Sequence, residues 1–203
     1  MKKSFVVAIG IIVLIALVLI VFFVMKQKSV SVTSWSTHAT STIDITTWKT
    51  YSNSQYGFAV QIPKDWKIVE HINDIPSAIS FNSPSNEKIF DSAIQNHQLE
   101  GPAFNITFAV YGNIVTQAKG EGIILKTGTL SEYVQLSQNI FFNPQKITFA
   151  GQNAFRGSEA GMFDTDAIWI NKDNYLEKIL LQSNVGMDKV LRDKILSTFK
   201  FTK

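Results

Sequence analysis

The stretch Tyr56-Gly57-Phe58-Ala59-Val60-Gln61-Ile62-Pro63 decides the fold class. Its large side chains fall on every second residue, Tyr56, Phe58, Val60 and Ile62, with Gly57, Ala59 and Gln61 between them. A period of two puts the four on one face of a β-strand, and Pro63, with no N–H to give to a neighbouring strand, stops it. The same period returns in Phe104-Asn105-Ile106-Thr107-Phe108-Ala109-Val110. Its apolar and polar faces separate as they do in a half-buried antiparallel strand.

Working outward, shorter strand candidates are 66–70, 78–81, 146–149, 154–159, 167–170 and 175–182. The turn-forming runs Gly151-Gln152-Asn153 and Asn171-Lys172-Asp173-Asn174 separate some of them at hairpin spacing. Residues 85–103 show no period and read as a long loop with one helical turn at most. Two segments switch to helical period. Thr129-Leu130-Ser131-Glu132 has the spacing of a capping box, in which both side chains satisfy free N–H groups at a helix start. Leu130, Tyr133, Val134, Ile140 and Phe141 then line one face until Asn143-Pro144 ends the helix. In the second segment Asn184 is the expected cap, and Met187, Val190, Leu191, Ile195 and Phe199 form the stripe, with Lys194 and Lys200 where the helix dipole favours cations. Strands, helix, strands, helix make an α+β domain, a mostly antiparallel sheet with helices packed on it.

The N-terminal region is of another kind. From Ser4 to Met25 all 22 residues are uncharged and 20 are apolar. At about 1.5 Å per residue they reach about 33 Å, enough for a hydrocarbon core of about 30 Å. A transmembrane helix is expected. A cleaved signal peptide is the competing reading, with Ser29-Val30-Ser31 as its small-x-small site, but its apolar region runs only about 7 to 15 residues. Lys2 and Lys3 on one side and Lys26 and Lys28 on the other leave the positive-inside bias undecided. The segment's place at the start, as the targeting signal for the remainder of the chain, sets the expectation of a cytoplasmic N-terminus with the rest outside. Residues 29–47, rich in Ser and Thr and bearing the single charge Asp44, read as a flexible tether; a first edge strand over Ile43 to Thr47 stays open. The organisation is then an anchor over 1–28, a tether over 29–47 and a globular domain over 48–203.

The chain has 203 residues, no cysteine and a net charge of +3. Without cysteine there are no disulfides, lipidated cysteine, thiol catalysis or Cys-ligated zinc. The positive charge belongs to the four lysines around the apolar run. Without them 15 basic residues face 16 acidic ones, which implies no nucleic-acid surface.

Tyr51-Ser52-Asn53-Ser54-Gln55-Tyr56-Gly57-Phe58, followed by Pro63-Lys64-Asp65-Trp66, resembles the opening of the PsbP-like domains of bacterial membrane-anchored envelope proteins. The ending Ile195-Leu196-Ser197-Thr198-Phe199-Lys200-Phe201 is similar to their closing helix. The resemblance implies the Mog1/PsbP-like fold, an α/β/α sandwich, over nearly all of 48–203, and an anchored extracytoplasmic domain. It supplies no catalytic residue, and 85–128 has no counterpart in it. Within the motif, Gly57 admits a backbone conformation or a close approach that a side chain would block, and Pro63 presets a turn toward Trp66.

Candidate chemistry is sparse. Gly120-Glu121-Gly122-Ile123-Ile124-Leu125-Lys126-Thr127 has Leu125 where a phosphate loop needs glycine. Gly157-Ser158-Glu159-Ala160-Gly161 has its serine in the second place and not the third, and reads as a surface turn. His38, His71 and His97 share no element and read as lone exposed residues. Asp164, Asp166 and Asp173 are the weak metal candidates, since hard cations favour carboxylates, but Ile168 and Trp169 occupy places where an EF-hand loop needs an oxygen ligand and a glycine. The other reading is a solvated strand edge. Phe58, Phe104, Phe108, Trp169 and Phe199 read as core, Trp35 as a residue of the lipid interface, and the sequon at Asn105 as part of a strand. No catalytic residue, cofactor, metal or nucleic acid is expected. The expected function is a membrane-tethered extracytoplasmic binding or accessory domain, with a protein of the cell envelope as the partner it could meet. The alternative is a small-ligand or cation-binding domain, or an enzyme, with a cleft near residues 85–103.

Overall fold

The period-two segments become ten strands, and four helices join them, in a computed structural model that describes residues 43–74, 76–96, 105–160, 165–182 and 187–202. In chain order these are β1 (Lys49–Asn53), β2 (Phe58–Ile62), β3 (Lys67–His71), β4 (Ser77–Asn82), α1 (Pro84–Gln95), β5 (Ile106–Asn113), α2 (Ile114–Gly120), α3 (Leu130–Leu136), β6 (Phe141–Phe149), β7 (Gln152–Glu159), β8 (Thr165–Lys172), β9 (Tyr175–Gln182), α4 (Lys189–Ser197) and β10 (Lys200–Phe201). The expected membrane helix over 4–25 lies outside the described residues. Among those residues, no helix is long and apolar enough to cross a membrane.

All strand pairs are antiparallel. One sheet has the order β3-β4-β5-β9-β8-β7-β6, and a smaller one the order β1-β2-β10. Alternation decides what each face of the large sheet meets. Ile79, Phe108, Ile179 and Ile168 lie in register across β4, β5, β9 and β8, and with Phe58, Val60 and Ile62 of the small sheet and Ile195 and Phe199 they form one core. Trp169 and Leu176 point the other way and pack with Tyr133, Val134, Ile114 and Phe141 into a second core under α2 and α3. A buried aliphatic or aromatic side chain contributes roughly 1.5 to 3 kcal/mol, so the two cores carry most of the stability. The C-terminal segment is part of the first: Phe199 stacks on Phe58 with ring centroids 5.1 Å apart, and β10 pairs with β2.

Gly57 shows why the opening motif needs its glycine. Its φ is +63°, and a Cβ there would stand 2.6 Å from the Thr202 carbonyl oxygen, while the Thr202 N–H donates to the Gly57 carbonyl at 2.7 Å. The last residues lie against the turn between β1 and β2.

Several expectations are corrected. Residues 84–95 form a helix, not a loop: Ser83 caps it by accepting the Asn86 N–H at 3.3 Å, and Pro84 has a φ already suited to the first turn. Among its described side chains the buried one is the polar Asn86. The helix begun at Thr129 ends at Leu136, and Ile140-Phe141 leads into β6. Asn143 and Pro144 sit inside that edge strand at a register shift between Phe142 and Gln145, where Asn143 has φ 51°; a bulge on an edge tolerates a proline. The last helix is capped by Asp188, which accepts the Val190 N–H at 2.8 Å, whereas Asn184 lies outside the described residues. Val190, expected in the apolar stripe, is 55% exposed, and Leu196 takes the buried place. No strand forms over Ile43 to Thr47. Gly157 and Ser158 belong to β7 and not to a turn.

Candidate functional site: a cleft at the mouth of the two sheets

In β9 the order Tyr175-Leu176-Glu177-Lys178-Ile179 puts Glu177 on the same face as Ile179 and Leu181, which belong to the first core. Glu177 lies in register between Val110 of β5 and Ile170 of β8. It is 4% exposed, and its Oε2 has no hydrogen-bond partner among the described residues. Burial pushes its carboxyl up to about 7; Lys172 opposes the rise and Asp173 adds to it. A carboxylate in this position lacks the solvation or partner that would keep it ionised.

Glu177 is the most buried of the residues that line a cleft of about 420 Å³. Two turns form its walls. Gln55 and Tyr56 come from the turn between β1 and β2, and Lys172, Asp173 and Tyr175 from the turn between β8 and β9. The second is a two-residue turn with φ 53° at Asp173 and 68° at Asn174, the left-handed pair that suits the strands' twist. Tyr56 is held by its hydroxyl, which donates to the Ile72 carbonyl at 3.3 Å and accepts from the Gln55 amide at 3.1 Å. Lys172 Nζ lies 2.9 Å from Asp173 Oδ2 and 5.8 Å from the Phe201 ring centroid. Tyr175 is half exposed. The arrangement can accept a hydrogen bond or a positive charge from a small molecule in a cleft that Tyr56 and Tyr175 also line.

No known family pattern matches the chain, and no characterised protein matches it in sequence. A likeness to a solved structure exists. The chain is similar to cyanobacterial PsbP. One match is to the solution structure of cyanobacterial PsbP (CyanoP) from Synechocystis sp. PCC 6803, at 14% identity and a TM-score of 0.43, covering 79% of this chain and 95% of that one.

The structure does not gather the three aspartates. Asp164 lies outside the described residues. Asp166 is engaged: Arg156 donates to it from Nε at 3.1 Å and from Nη2 at 2.6 Å, and Arg192 Nη1 lies 3.5 Å away. The charge of this carboxylate is already matched by two guanidinium groups, which a cation would have to displace or tolerate. Asp173 stands alone at the cleft rim, paired with Lys172. Among the described residues no three His, Asp or Glu side chains are placed to hold a metal ion. His71 pairs with Asp74 at 3.3 Å; His38 and His97 lie outside. In the glycine-rich stretch, the backbone N–H groups of Lys126 and Thr127 close on the Glu132 carboxylate at 2.6 and 2.7 Å. Glu132 caps that loop and not its own helix start, where Thr129 Oγ1 alone accepts the Glu132 N–H. The described part of 85–103 is α1 and does not line the Glu177 cleft. Glu177 itself is not among the residues the sequence singles out, although a charged residue alternating with Ile179 and Leu181 is the signal that could have found it.

Proposed function

We propose that the chain is a membrane-tethered, extracytoplasmic accessory domain that acts by binding and not by catalysis, and that its ligand-facing feature is the Glu177 cleft. The anchor over 4–25 and the tether over 29–47 are read from spanning length and composition; with the N-terminus in the cytoplasm they would hold the domain outside. The observation that carries the binding reading is the buried oxygen without a hydrogen-bond partner on Glu177, a residue that lines the cleft. An unsatisfied buried acceptor costs about 1 to 3 kcal/mol, a cost that a bound donor removes. Two experiments test the reading. Protease added to intact cells is expected to release the domain by cutting within 29–47, and protection until lysis overturns the orientation. A thermal-shift screen of amines, sugars and divalent metals is expected to find a ligand whose stabilisation is lost in Glu177→Gln, since a ligand of the native state raises its apparent stability by mass action. Stabilisation equal in both proteins overturns the site.

A further inference from the structure

We propose that the Glu177 cleft takes a small organic ammonium ion, a primary or secondary amine in its protonated form. This rests on the cleft being the binding feature and adds the class of ligand. The charges decide it. Lys172 is paired with Asp173 and lies against the Phe201 ring; its charge favours the ionised form of Glu177 but forms no direct ion pair with it, so Glu177 is the carboxyl in the cleft without a contacting counter-ion. The strands on either side offer it only Val110 and Ile170, and the turn between β1 and β2 offers the neutral Gln55 and Tyr56. Lys178, next in sequence, points to the opposite face and is held by Glu159 at 2.8 Å. Among the described residues, nothing else charged lines the cleft.

Oε2 needs an N–H or O–H donor, and an ionised carboxylate in that place also needs a positive charge. An ammonium group supplies both. A neutral alcohol would satisfy the hydrogen bond and leave the charge unbalanced, an anion would oppose it, and a bare metal ion would find one free carboxylate. The rings of Tyr56 and Tyr175 line the same cleft, and aromatic faces attract cations. A volume of about 420 Å³ accommodates a molecule of several heavy atoms and excludes a folded segment.

Capture of the cation is coupled to loss of the Glu177 proton. With a carboxyl that titrates at about 7, the ionised fraction rises about tenfold between pH 6 and pH 8, and so does the expected affinity.

The test uses the full-length chain in detergent micelles and two probes of equal shape, n-propylammonium and n-propanol, at matched ionic strength. NMR follows the ring signals of Tyr56 and Tyr175 and, in the wild type, the side-chain carboxyl of Glu177. The expected result is a saturable shift with n-propylammonium, about tenfold tighter at pH 8 than at pH 6, a lowered Glu177 titration midpoint, and no saturable shift with the alcohol or in Glu177→Gln. If the alcohol binds as tightly as the amine and Glu177→Gln abolishes both, the cleft reading stands and the ammonium class falls. If neither probe moves the rings or the carboxyl at either pH, both fall. A response that persists in Glu177→Gln places the amine elsewhere and overturns the proposal.

Discussion

Glu177 and Lys178 are neighbours in β9 and face opposite sides of the large sheet, where the two cores treat a buried charge differently. Lys178 is 3% exposed and fully engaged: Glu159 lies 2.8 Å from its Nζ, and the Trp169 and Tyr111 ring centroids lie 4.1 and 4.5 Å away. Glu159 also accepts the Trp169 indole N–H. On the other side Glu177 is as deeply buried and lacks a partner at Oε2. The difference separates two uses of a buried charge. A pair with matched geometry and aromatic cover serves the fold, because removing either partner leaves an uncompensated ion. An unmatched group at the edge of a core costs stability, and in a cleft it is available to something else.

Four measurements break or sharpen this contrast. The largest losses are expected where each core is broken. Lys178→Ala strands Glu159 and is expected to cost about 3 to 5 kcal/mol in urea unfolding, and Lys178→Ala with Glu159→Gln should recover part of that loss. A single substitution that costs nothing would mean that the contact with Lys178 does not stabilise the fold. Phe108→Ala empties the centre of the first core, where Phe58 and Phe199 pack on its ring at 4.2 and 5.6 Å, and is expected to cost about 3 to 5 kcal/mol. A loss below about 1 kcal/mol would place that ring on the wrong face.

Glu177→Gln is expected to act with the opposite sign. Because the folded carboxyl titrates at about 7 and the unfolded one near 4.3, the native state holds the proton more tightly. The wild type therefore loses stability as pH rises through that window, by about 3 to 4 kcal/mol. The glutamine variant lacks this slope: it should match the wild type near pH 4 and exceed it at pH 8. Parallel pH profiles of the two proteins would show that Glu177 is solvated or paired.

The smallest effect concerns Glu132, whose carboxyl is held at about 2 by the Thr127 hydroxyl and the N–H groups of Lys126 and Thr127. Its folded value lies below the unfolded one, so its stabilisation is present at neutral pH and fades as pH falls from about 4.3 toward 2. Glu132→Gln should lower the melting midpoint slightly at pH 7 and not at pH 2.

Much of the sheet was legible because alternation is a local signal. Phe58, Val60 and Ile62, and again Ile106 and Phe108, fall on the face that their period assigns, and both hairpin turns stand where Gly151 and the Asp173-Asn174 pair announced them. The helices were less legible. Ile140 and Phe141 fit a helical stripe and a strand equally, and only pairing with Glu159 in β7 decides for the strand. α1 was missed because the row Asn86, Phe90, Ala93 and Ile94 opens on a polar residue, although it keeps helical spacing. α2 begins at Asn113, which caps it by accepting the Val115 N–H at 3.0 Å, in a stretch whose seven residues are too short for a period to emerge. The cleft was not legible, since Gln55 and Glu177 meet only when two sheets pack. The acidic cluster was misleading for the same reason: Asp166 meets Arg156 and Arg192 from β7 and α4, which no local reading joins to it.

The closing of the small sheet by β10 also bears on when the domain can fold. β2 has its second neighbour only in Lys200 and Phe201, and its Gln61 N–H donates to Thr198 Oγ1 across a separation of 137 residues. At a synthesis rate of about 5 to 20 residues per second, on the order of ten seconds pass between the two ends leaving the ribosome. Throughout that interval β2, one of the first strands made, has an open edge and an apolar face awaiting Phe199. A nascent chain stalled before residue 198 would therefore expose a strand ready to pair with the wrong partner, and the codons for residues 198–201 decide whether β2 is protected.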